Sequence, residues 1–334
     1  MINKAPLNAA ITAVGHYVPD RVIDNKYYEE YLDTSDEWIR TRTGISERRR
    51  LDADIPTSFM AIKAIEDLLK NRGIGSEEID LIIVGTVTPD MLFPSTACKI
   101  QKELKAVNAW GFDLLAACSG FIFSLATAVQ FVQSGSHKKV IVVGADKMSS
   151  ISNMEDRNTC ILFGDGAGAV LLEPAEDKET GILDSILRVD GEGEKYLHML
   201  GGGSLNPPSY ETVDKKMHYV YQDGKTVFKE AVKGMADVSY EIMKKNNISS
   251  EQVSFLVPHQ ANMRIITACA ERMGISMDKV MLNIHKYGNT TSGTIPICLS
   301  EYWREGKVKK GDYLILSSFG AGYTWGSILV KWAY

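Results

Sequence analysis

The chain has 334 residues, of which 45% are hydrophobic and 24% are charged, and its 37 Lys and Arg against 42 Asp and Glu give a formal net charge of −5. These values are typical of a globular protein and exclude a collagen, a disordered tail and a coiled-coil rod. The mildly acidic balance also argues against a nucleic-acid partner, which requires a clustered basic surface. At roughly 150 residues per domain, the length predicts about two folding units.

Apolar runs of strand length alternate along the chain with longer segments of helical period, the pattern of an α/β protein. The predicted strands, in chain order, are 79–86, 139–146, 161–174, 253–259 and 312–320. The predicted helices are 57–71, 118–133, 227–245, 262–273 and 293–304. Segment 191–216 is a long surface excursion, which is either a substrate-covering loop or a decorated edge.

Similar segments occur twice in the same order, and each pair is separated by nearly the same number of residues. IDLIIV at 79 and VSFLVP at 253 are 174 residues apart, whereas Ser119-Gly120 and Ser292-Gly293, like the strands at 141 and 314, are 173 apart. A repeat at half the chain length predicts a duplicated unit. We therefore expect two halves, 1–174 and 175–334, related by a pseudo-two-fold axis and packed as one body.

The cysteines give no sign of a disulfide framework or a zinc cluster, because they are odd in number, scattered and without a C-x-x-C pair. The chain also lacks an apolar run of about 18 residues and an N-terminal leader pattern. We expect a cytoplasmic protein with no metal and no membrane partner. The cysteines are Cys98, Cys118, Cys160, Cys269 and Cys298.

Cys118 is the first candidate for chemistry. It lies in LLAACSGF, where an apolar strand breaks and a helical run begins at once. A thiol at a helix N-terminus is near the positive end of the helix dipole and near unpaired N–H groups, so its pKa should fall toward neutrality. The alternative is a buried structural cysteine.

Two polar residues of the second half accompany this cysteine. His259 lies in FLVPHQAN, just past an apolar strand, where open α/β folds bind ligands. Asn289 lies in KYGNTTSGT and precedes three small polar residues. Taken alone, a capping histidine and an ordinary helix N-cap explain these residues equally well. The duplication favours a shared site, because it brings both of them toward Cys118.

Seven motifs, in order along the chain, carry a family resemblance. The sequence resembles β-ketoacyl-[acyl carrier protein] synthase III, a condensing enzyme of the thiolase superfamily, over essentially its whole length. This resemblance implies a thiolase-like α/β fold with an αβαβα core. The motifs are DTSDEWIRTRTGISERR (33–49), FPSTAC (93–98), AACSGF (116–121), DRNTCILFGDGAGAVLLE (156–173), VPHQANMRII (257–266), YGNTTSGTIP (287–296) and FGAGYTWGSILVKW (319–332).

The resemblance implies a two-step reaction. An acyl group passes from coenzyme A to Cys118, and malonyl-acyl carrier protein then loses CO₂ and attacks the thioester. This step initiates type II fatty-acid synthesis, with acetyl-CoA as the expected primer and with no metal, flavin or nicotinamide. The backbone N–H groups of Cys118 and Ala321 would form the oxyanion hole, although the family often has glycine at position 321. Neutral His259 and Asn289 would donate to the enolate, and Phe319 would exclude water.

The resemblance also implies how coenzyme A is bound. Trp38 and Arg157 would stack on either face of the adenine, with Arg42 near a phosphate. The alternative is an exposed tryptophan and two solvated arginines.

Carrier-protein binding and dimerisation follow from further matches. Arg264, Lys229 and Arg272 correspond to a basic patch for the acidic carrier protein, although Glu271 stands where the family pattern has lysine. Phe93 matches a residue that crosses a homodimer interface to close the partner's acyl pocket; the alternative is an ordinary core phenylalanine.

Other functions of related chemistry are disfavoured. A thiolase needs a second cysteine in the segment SSFGAGYTWGS, which has none, and Cys298 lies away from that loop. A hydroxymethylglutaryl-CoA synthase needs a glutamate where this chain has Val87. A non-catalytic acyl-carrier-binding scaffold would not need Cys118, His259 and Asn289 together. A starter-unit condensing enzyme of a secondary-metabolite, polyketide-like pathway shares all three and stays an alternative.

Overall fold

The computed structural model describes residues 8–334. The N-terminal segment considered for a leader pattern begins in the first seven residues, which lie outside this range. Within it the strands are β1 (Ala9–Tyr17), β2 (Val22–Asp24), β3 (Glu47–Arg49), β4 (Leu81–Gly85), β5 (Trp110–Leu114), β6 (Val140–Lys147), β7 (Asp165–Pro174), β8 (Gly181–Val189), β9 (Leu197–His198), β10 (Tyr221–Gln222), β11 (Val253–Pro258), β12 (Tyr313–Gly320) and β13 (Thr324–Lys331). The helices are α1 (Lys26–Glu29), α2 (Asp36–Thr43), α3 (Thr57–Arg72), α4 (Thr96–Glu103), α5 (Gly120–Gln133), α6 (Tyr210–Asp214), α7 (Gly224–Lys245), α8 (Met263–Met273), α9 (Ile284–Tyr287) and α10 (Thr294–Arg304).

Two sheets repeat one topology. The first has the order β1, β7, β6, β4, β5, and the second has the order β11, β12, β13, β8. In the first sheet β4 is parallel to β6, and the pairs β6–β7 and β7–β1 are antiparallel. In the second sheet β11 is parallel to β12, and the pairs β12–β13 and β13–β8 are antiparallel. The duplicated architecture predicted from the repeat is therefore present, with β5 as an additional edge strand in the first half.

Helices α5 and α10 lie between the two sheets. Both contact strands of each sheet, and α5 has apolar residues all round because each of its faces meets a strand. Phe121, Ile122 and Leu125 of α5 are completely buried there. Helices α3 and α4 pack on the outer face of the first sheet, and α7 packs on the outer face of the second. The layers are αβαβα, as predicted.

The strands next to these central helices are apolar because helices cover both of their faces. All residues of β4 and β6 are buried, which explains why 81–85 and 140–145 are continuous apolar runs. The outer helix α3 shows the opposite pattern, with one apolar stripe that includes Ala61, Ile65 and Leu68. Helix α3 ends at Gly73, whose φ of 74° is the left-handed conformation of a helix C-cap.

The register of the repeat differs by one residue from the predicted match of the two Ser-Gly pairs. Ala117 and Thr291, 174 residues apart, have φ angles of 47° and 50°, and each begins a short 3-10 turn. The helices that follow, α5 and α10, begin at Gly120 and Thr294, again 174 residues apart. Cys118 therefore corresponds to Ser292, because the backbone conformation rather than residue identity repeats.

The predicted strand 161–174 begins only at Asp165. Residues 161–162 belong to a turn, and Phe163 after it makes an isolated bridge with Asn289 of the second half. The shortened strand thus leaves residues free to hold the loop that carries Asn289.

The boundary between the halves at 174/175 stays a prediction. Within residues 8–334, no helix is long and apolar enough to cross a membrane. The same range contains no cluster of three or more side chains suited to holding a metal ion.

Candidate active site

A cavity of about 1240 Å³ lies where the two halves meet. It is bordered by the loops after β4, β5 and β6 of the first half and by those after β11 and β12 of the second. This is the carboxyl edge of the parallel strands, where ligands bind in open α/β sheets. The cavity brings together most of the residues predicted for the site, namely Cys118, His259, Asn289, Phe319, Ala321, Trp38, Arg42 and Arg264.

Cys118 lies on a turn that is held rigidly against the second half. The carbonyl oxygen of Cys118 accepts a hydrogen bond from Ser318 Oγ at 2.8 Å, and Ser119 Oγ donates to the carbonyl of Thr324 at 2.9 Å. Gly320 packs so closely that a Cβ there would lie 2.8 Å from the Cys118 amide nitrogen. Only glycine fits at this contact, so the position of the nucleophile depends on Gly320.

The pKa of Cys118 moves in the direction opposite to the sequence expectation. Burial, and then the negative charge of Asp146, raise the pKa of the thiol to about 12, although the Cys118 amide favours the thiolate. The thiol is partly open to the cavity, but the surrounding walls deprive its charged form of bulk water. Cys118 is therefore a thiol at rest, because desolvation outweighs the start of α5.

Two backbone N–H groups near the thiol have no acceptor. Within residues 8–334, the amides of Cys118 and Ala321 make no backbone hydrogen bond. Thr324 Oγ1 lies 3.0 Å from the carbonyl oxygens of both Ala116 and Ala321, and so joins the turns that carry them. Ala321 does not adopt a positive φ, so its methyl group causes no backbone strain where the family often has glycine.

His259 is buried and neutral. Its amide donates to Ser317 O at 2.8 Å, which continues the pairing of β11 with β12. Burial lowers the pKa of the imidazole to about 3. Thr294 Oγ1 lies 2.8 Å from Nδ1 and 3.0 Å from the carbonyl of Thr291. When the Thr294 proton points to Nδ1, the ring proton is on Nε2, and His259 can donate into the cavity.

The side-chain amide of Asn289 has one fixed orientation. Its Oδ1 accepts the backbone N–H of Thr291 at 2.8 Å. The backbone of Asn289 is fixed as well, by hydrogen bonds with Leu162 and Gly164. Because Oδ1 is occupied, the Nδ2 group is the part of the amide that is available as a donor. This arrangement differs from a plain helix N-cap, since α10 begins five residues later.

Trp38 and Arg157 are in direct contact. The guanidinium of Arg157 lies over the indole of Trp38 at 4.8 Å and also pairs with Asp33. Trp38 and Arg42 line the cavity, whereas Arg157 is outside its lining. The expected adenine site between Trp38 and Arg157 stays a prediction, and it requires the two side chains to separate by the thickness of one aromatic ring.

The predicted basic patch is only partly available. Arg264 lines the cavity and stacks on Phe228 at 4.6 Å, and Lys229 is exposed on α7. Arg272 forms an ion pair with Asp237 at 3.1 Å, which reduces its effective charge. Sequence analysis missed Lys225, which borders the cavity one turn before Lys229.

Phe93 lies outside the cavity of its own chain and is 84% exposed. The core alternative is therefore wrong. Its neighbour Leu92 is also largely exposed and lines the cavity, and the edge strand β5 exposes half of Trp110. By contrast, Phe319 is buried beside the cavity and packs against Tyr323 and Trp325, so it combines the roles of wall and core residue.

Segment 191–216 covers the cavity. Leu197, Met199 and Gly201 to Gly203 line it, followed by Val220 and Gln222 just beyond the segment. The start of the excursion is joined to the turn of Ala321 by paired backbone hydrogen bonds between Asp190 and Tyr323. Of the two alternatives, a substrate-covering loop and a decorated edge, the structure favours the loop, because the segment contributes to the cavity wall.

Comparisons with known proteins agree with this geometry. The family model for 3-oxoacyl-[acyl-carrier-protein (ACP)] synthase III matches residues 112–191, and the model for its C-terminal part matches residues 243–332. The beta-ketoacyl-[acyl-carrier-protein] synthase III of Chlorobaculum tepidum is 58% identical over 328 residues, which cover 98% of this chain and 100% of the relative.

Solved structures show the same fold. The 3-oxoacyl-[acyl-carrier-protein] synthase III of Aquifex aeolicus is 43% identical, with a TM-score of 0.90 over 97% of this chain and 100% of that chain. The priming β-ketosynthase of the R1128 polyketide pathway is 32% identical, with a TM-score of 0.90 over 99% of each chain. From the identity to curated relatives over nearly its whole length, the chain belongs to the 3-oxoacyl-[acyl-carrier-protein] synthase III family.

Proposed function

We propose that this protein condenses a short acyl-CoA primer, acetyl-CoA above all, with malonyl-acyl carrier protein. The products are 3-oxoacyl-acyl carrier protein, CoA and CO₂, and the reaction initiates type II fatty-acid synthesis. One observation carries the proposal: a thiol, two backbone N–H groups without acceptors and two neutral side-chain donors border one cavity. This chemistry needs coenzyme A only as a thioester substrate and uses no metal, flavin or nicotinamide.

In the first half-reaction Cys118 Sγ attacks the acyl-CoA carbonyl. The carbonyl oxygen becomes negative, and the amides of Cys118 and Ala321 donate to it. As the tetrahedral intermediate collapses, the bond to the CoA sulfur breaks. The proton lost by the thiol is taken up by the CoA sulfur, so no net proton transfer to the protein is needed. The helix start at α5 and the Cys118 amide favour the thiolate formed during this exchange.

In the second half-reaction the malonyl group loses CO₂ and leaves an enolate on its thioester. His259 Nε2–H and Asn289 Nδ2–H donate to that enolate oxygen, and each donor contributes about 2.7–4 kcal/mol if it acts as oxyanion-hole donors do. The enolate carbon then attacks the acyl group on Cys118, the bond to Sγ breaks, and the thiolate that leaves takes up one proton from water to restore the thiol. Phe319 and the covering segment 191–216 limit the water that would quench the carbanion.

Coenzyme A and the acyl carrier protein would be bound through charge and aromatic stacking. The guanidinium of Arg157 and the indole of Trp38 suit an adenine, and Arg42 at the cavity suits a phosphate. Lys229 and Arg264 suit an acidic carrier protein, with Arg272 contributing less because of Asp237. A homodimer in which Phe93 closes the partner's acyl pocket agrees with the high exposure of that side chain.

Separate assays of the two half-reactions test the roles. Intact-protein mass spectrometry after mixing with acetyl-CoA reports acylation, and CO₂ release after mixing acylated enzyme with malonyl-acyl carrier protein reports decarboxylation. His259→Ala and Asn289→Ala should slow CO₂ release by about 10²–10³ each, the effect of losing one oxyanion-hole donor. Both variants should still become acylated on Cys118, whereas Cys118→Ser should not form a thioester.

Acylation of Cys160 or Cys298 with Cys118 unmodified would contradict the assignment of the nucleophile. Loss of acylation in His259→Ala with decarboxylation intact would show that His259 acts as a base for the thiol. Initial rates with acetyl-, isobutyryl- and longer acyl-CoA separate a fatty-acid initiator from a starter-unit condensing enzyme that prefers another primer.

A further inference from the structure

Asp146 is a buried carboxylate that hydrogen-bonds to both halves. It lies near the end of β6, has no exposed surface and makes no ion pair within residues 8–334. Its Oδ1 atom accepts hydrogen bonds only from the loop after β4 in the first half. The donors are Thr86 Oγ1 at 3.0 Å, the Val87 amide at 2.8 Å, the Thr88 amide at 3.2 Å and Thr88 Oγ1 at 3.1 Å.

The other carboxylate oxygen faces the second half. Oδ2 of Asp146 accepts hydrogen bonds from Thr291 Oγ1, from Ser292 Oγ at 2.8 Å and from the Ser292 amide at 3.3 Å. Every partner is an N–H or O–H group, although the single proton of Ser292 Oγ is shared between Asp146 and the carbonyl oxygen of Gly85, 2.7 Å away. Burial raises the pKa of Asp146, and these hydrogen bonds oppose that rise. Each oxygen of the Asp146 carboxylate is therefore bound by a different half of the chain.

Thr291 connects this carboxylate to one catalytic donor of the second half. Its amide N–H holds Asn289 Oδ1 at 2.8 Å. Its carbonyl oxygen lies 3.0 Å from Thr294 Oγ1, but the single proton of that hydroxyl points to His259 Nδ1, 2.8 Å away, when Nε2 carries the ring proton. The backbone of Thr291 thus orients the Asn289 amide directly, whereas Thr294 orients His259.

Thr291 adopts a conformation that needs support. Its φ of 50° lies in the left-handed region, which a β-branched residue rarely adopts. The side-chain hydroxyl bonded to Asp146 is one of the contacts that oppose a return of this residue to an ordinary backbone conformation.

We propose that Thr291, anchored on Asp146, is a positioning residue that fixes Asn289 for decarboxylation. This inference rests on the proposed function and adds a residue that borders the cavity and acts by holding Asn289. Cys118 is held by the turn at Ala117 and by Gly320, neither of which makes a hydrogen bond to Thr291. Asp146 acts on the Cys118 thiol through its charge, and a change at Thr291 leaves that carboxyl group in place. The proposal therefore predicts a selective effect on the second half-reaction.

Thr291→Val is the main test, since valine keeps the volume and the β-branch and removes only the hydroxyl. In the full-length protein, we expect single-turnover CO₂ release from malonyl-acyl carrier protein to fall on the order of 100-fold, the effect of a misplaced catalytic group. The KM for malonyl-acyl carrier protein and the rate of acylation by acetyl-CoA should stay close to those of the wild type. Thr291→Ser keeps the hydroxyl and should recover most of the lost rate.

Thr86→Val is the matched control. Thr86 is also a buried threonine that donates to Asp146, but its hydrogen bond lies on the first-half side and does not lead to either donor. Thermal unfolding of both valine variants measures the shared cost of removing one hydrogen bond to the carboxylate. The control should leave the ratio of the two half-reaction rates unchanged, even if both variants lose similar stability.

The possible results are distinct. Equal loss of acylation and CO₂ release in Thr291→Val, or an equal change of their ratio in Thr86→Val, would overturn the positioning role and leave a structural one. Failure of the wild-type protein to form the Cys118 thioester or to release CO₂ would instead refute the proposed function. If Thr291→Val does not fold, Thr291→Ala, which removes the same hydroxyl with a smaller side chain, decides the question by the same ratio.

Discussion

The ionisation of Cys118 can be measured by alkylation across a range of pH. Iodoacetamide reacts with the thiolate, so its rate reports the fraction of that form. With a pKa of about 12, the thiolate fraction of Cys118 increases with pH over the whole range of the assay. The rate constant for Cys118 should increase about tenfold per pH unit from pH 7 to pH 10 and reach no plateau.

The expected decrease in the alkylation rate of Cys118 follows from the shift in its pKa. A pKa of about 12 instead of 9.0 lowers the thiolate fraction about 1000-fold at any pH well below 9. A more basic thiolate is also a better nucleophile, with a Brønsted coefficient of about 0.4–0.5, which reduces the deficit to about 30- to 60-fold. Cys118 should therefore be alkylated tens of times more slowly than an ordinary thiol of equal access.

Peptide mass spectrometry of the full-length protein provides the assay, because it follows every cysteine separately in one reaction. Cys98 is exposed and serves as the internal comparison, and Cys118→Ser identifies the peptide signal. A plateau for Cys118 between pH 7 and pH 8 would show that the dipole of α5 overcomes burial. That result would refute the reasoning from desolvation and restore the expectation drawn from the sequence.

Two further predictions concern the histidine and the dimer. Because burial lowers the pKa of His259 to about 3, the rate of condensation from acylated enzyme should stay level from pH 7 to pH 5; an inflection near 6.5 would contradict this. As the pH falls, His259 is protonated in the unfolded chain before it is protonated in the folded protein. The free energy of unfolding should therefore fall as the pH drops from about 6.5 toward 3, and His259→Gln should flatten that fall in acid denaturation curves. Light scattering should give roughly twice the chain mass of 36.9 kDa, and Phe93→Ala should slow acylation; a fully active monomer would argue against a shared pocket.

Much of the fold could be predicted because the parallel strands are covered on both faces. The buried runs at 81–85 and 140–145 are apolar without interruption, and the ends of β4 and β6 were predicted within two residues. Strand β1 was missed, since AAITAVGHY has small and polar residues among its apolar ones and pairs with β7 alone. Strand β5 was missed as well, because five partly exposed residues at a sheet edge give little periodic signal.

The nucleophile and its two donors could be predicted, but what holds them could not. Positive φ angles at Ala117 and Thr291 leave no trace in the sequence, because neither residue is glycine or asparagine. The register of the repeat was therefore one residue off. Asp146 did leave a signal, because it is an acid at the end of the apolar run VIVVGA, and an acid buried there requires hydrogen-bond partners. The direction of the Cys118 pKa required the cavity walls, which only the tertiary structure supplies.

The hydrogen bonds of Asp146 also bear on how the two halves fold. Four contacts to its carboxylate come from the first half and three from the second, so a chain cut between β7 and β8 would leave this buried group with about half of its partners. The same cut would remove Ser292, whose Oγ also lies 2.7 Å from the carbonyl oxygen of Gly85. We therefore expect each half to depend on the other for folding, so that the catalytic centre forms only when the whole chain assembles.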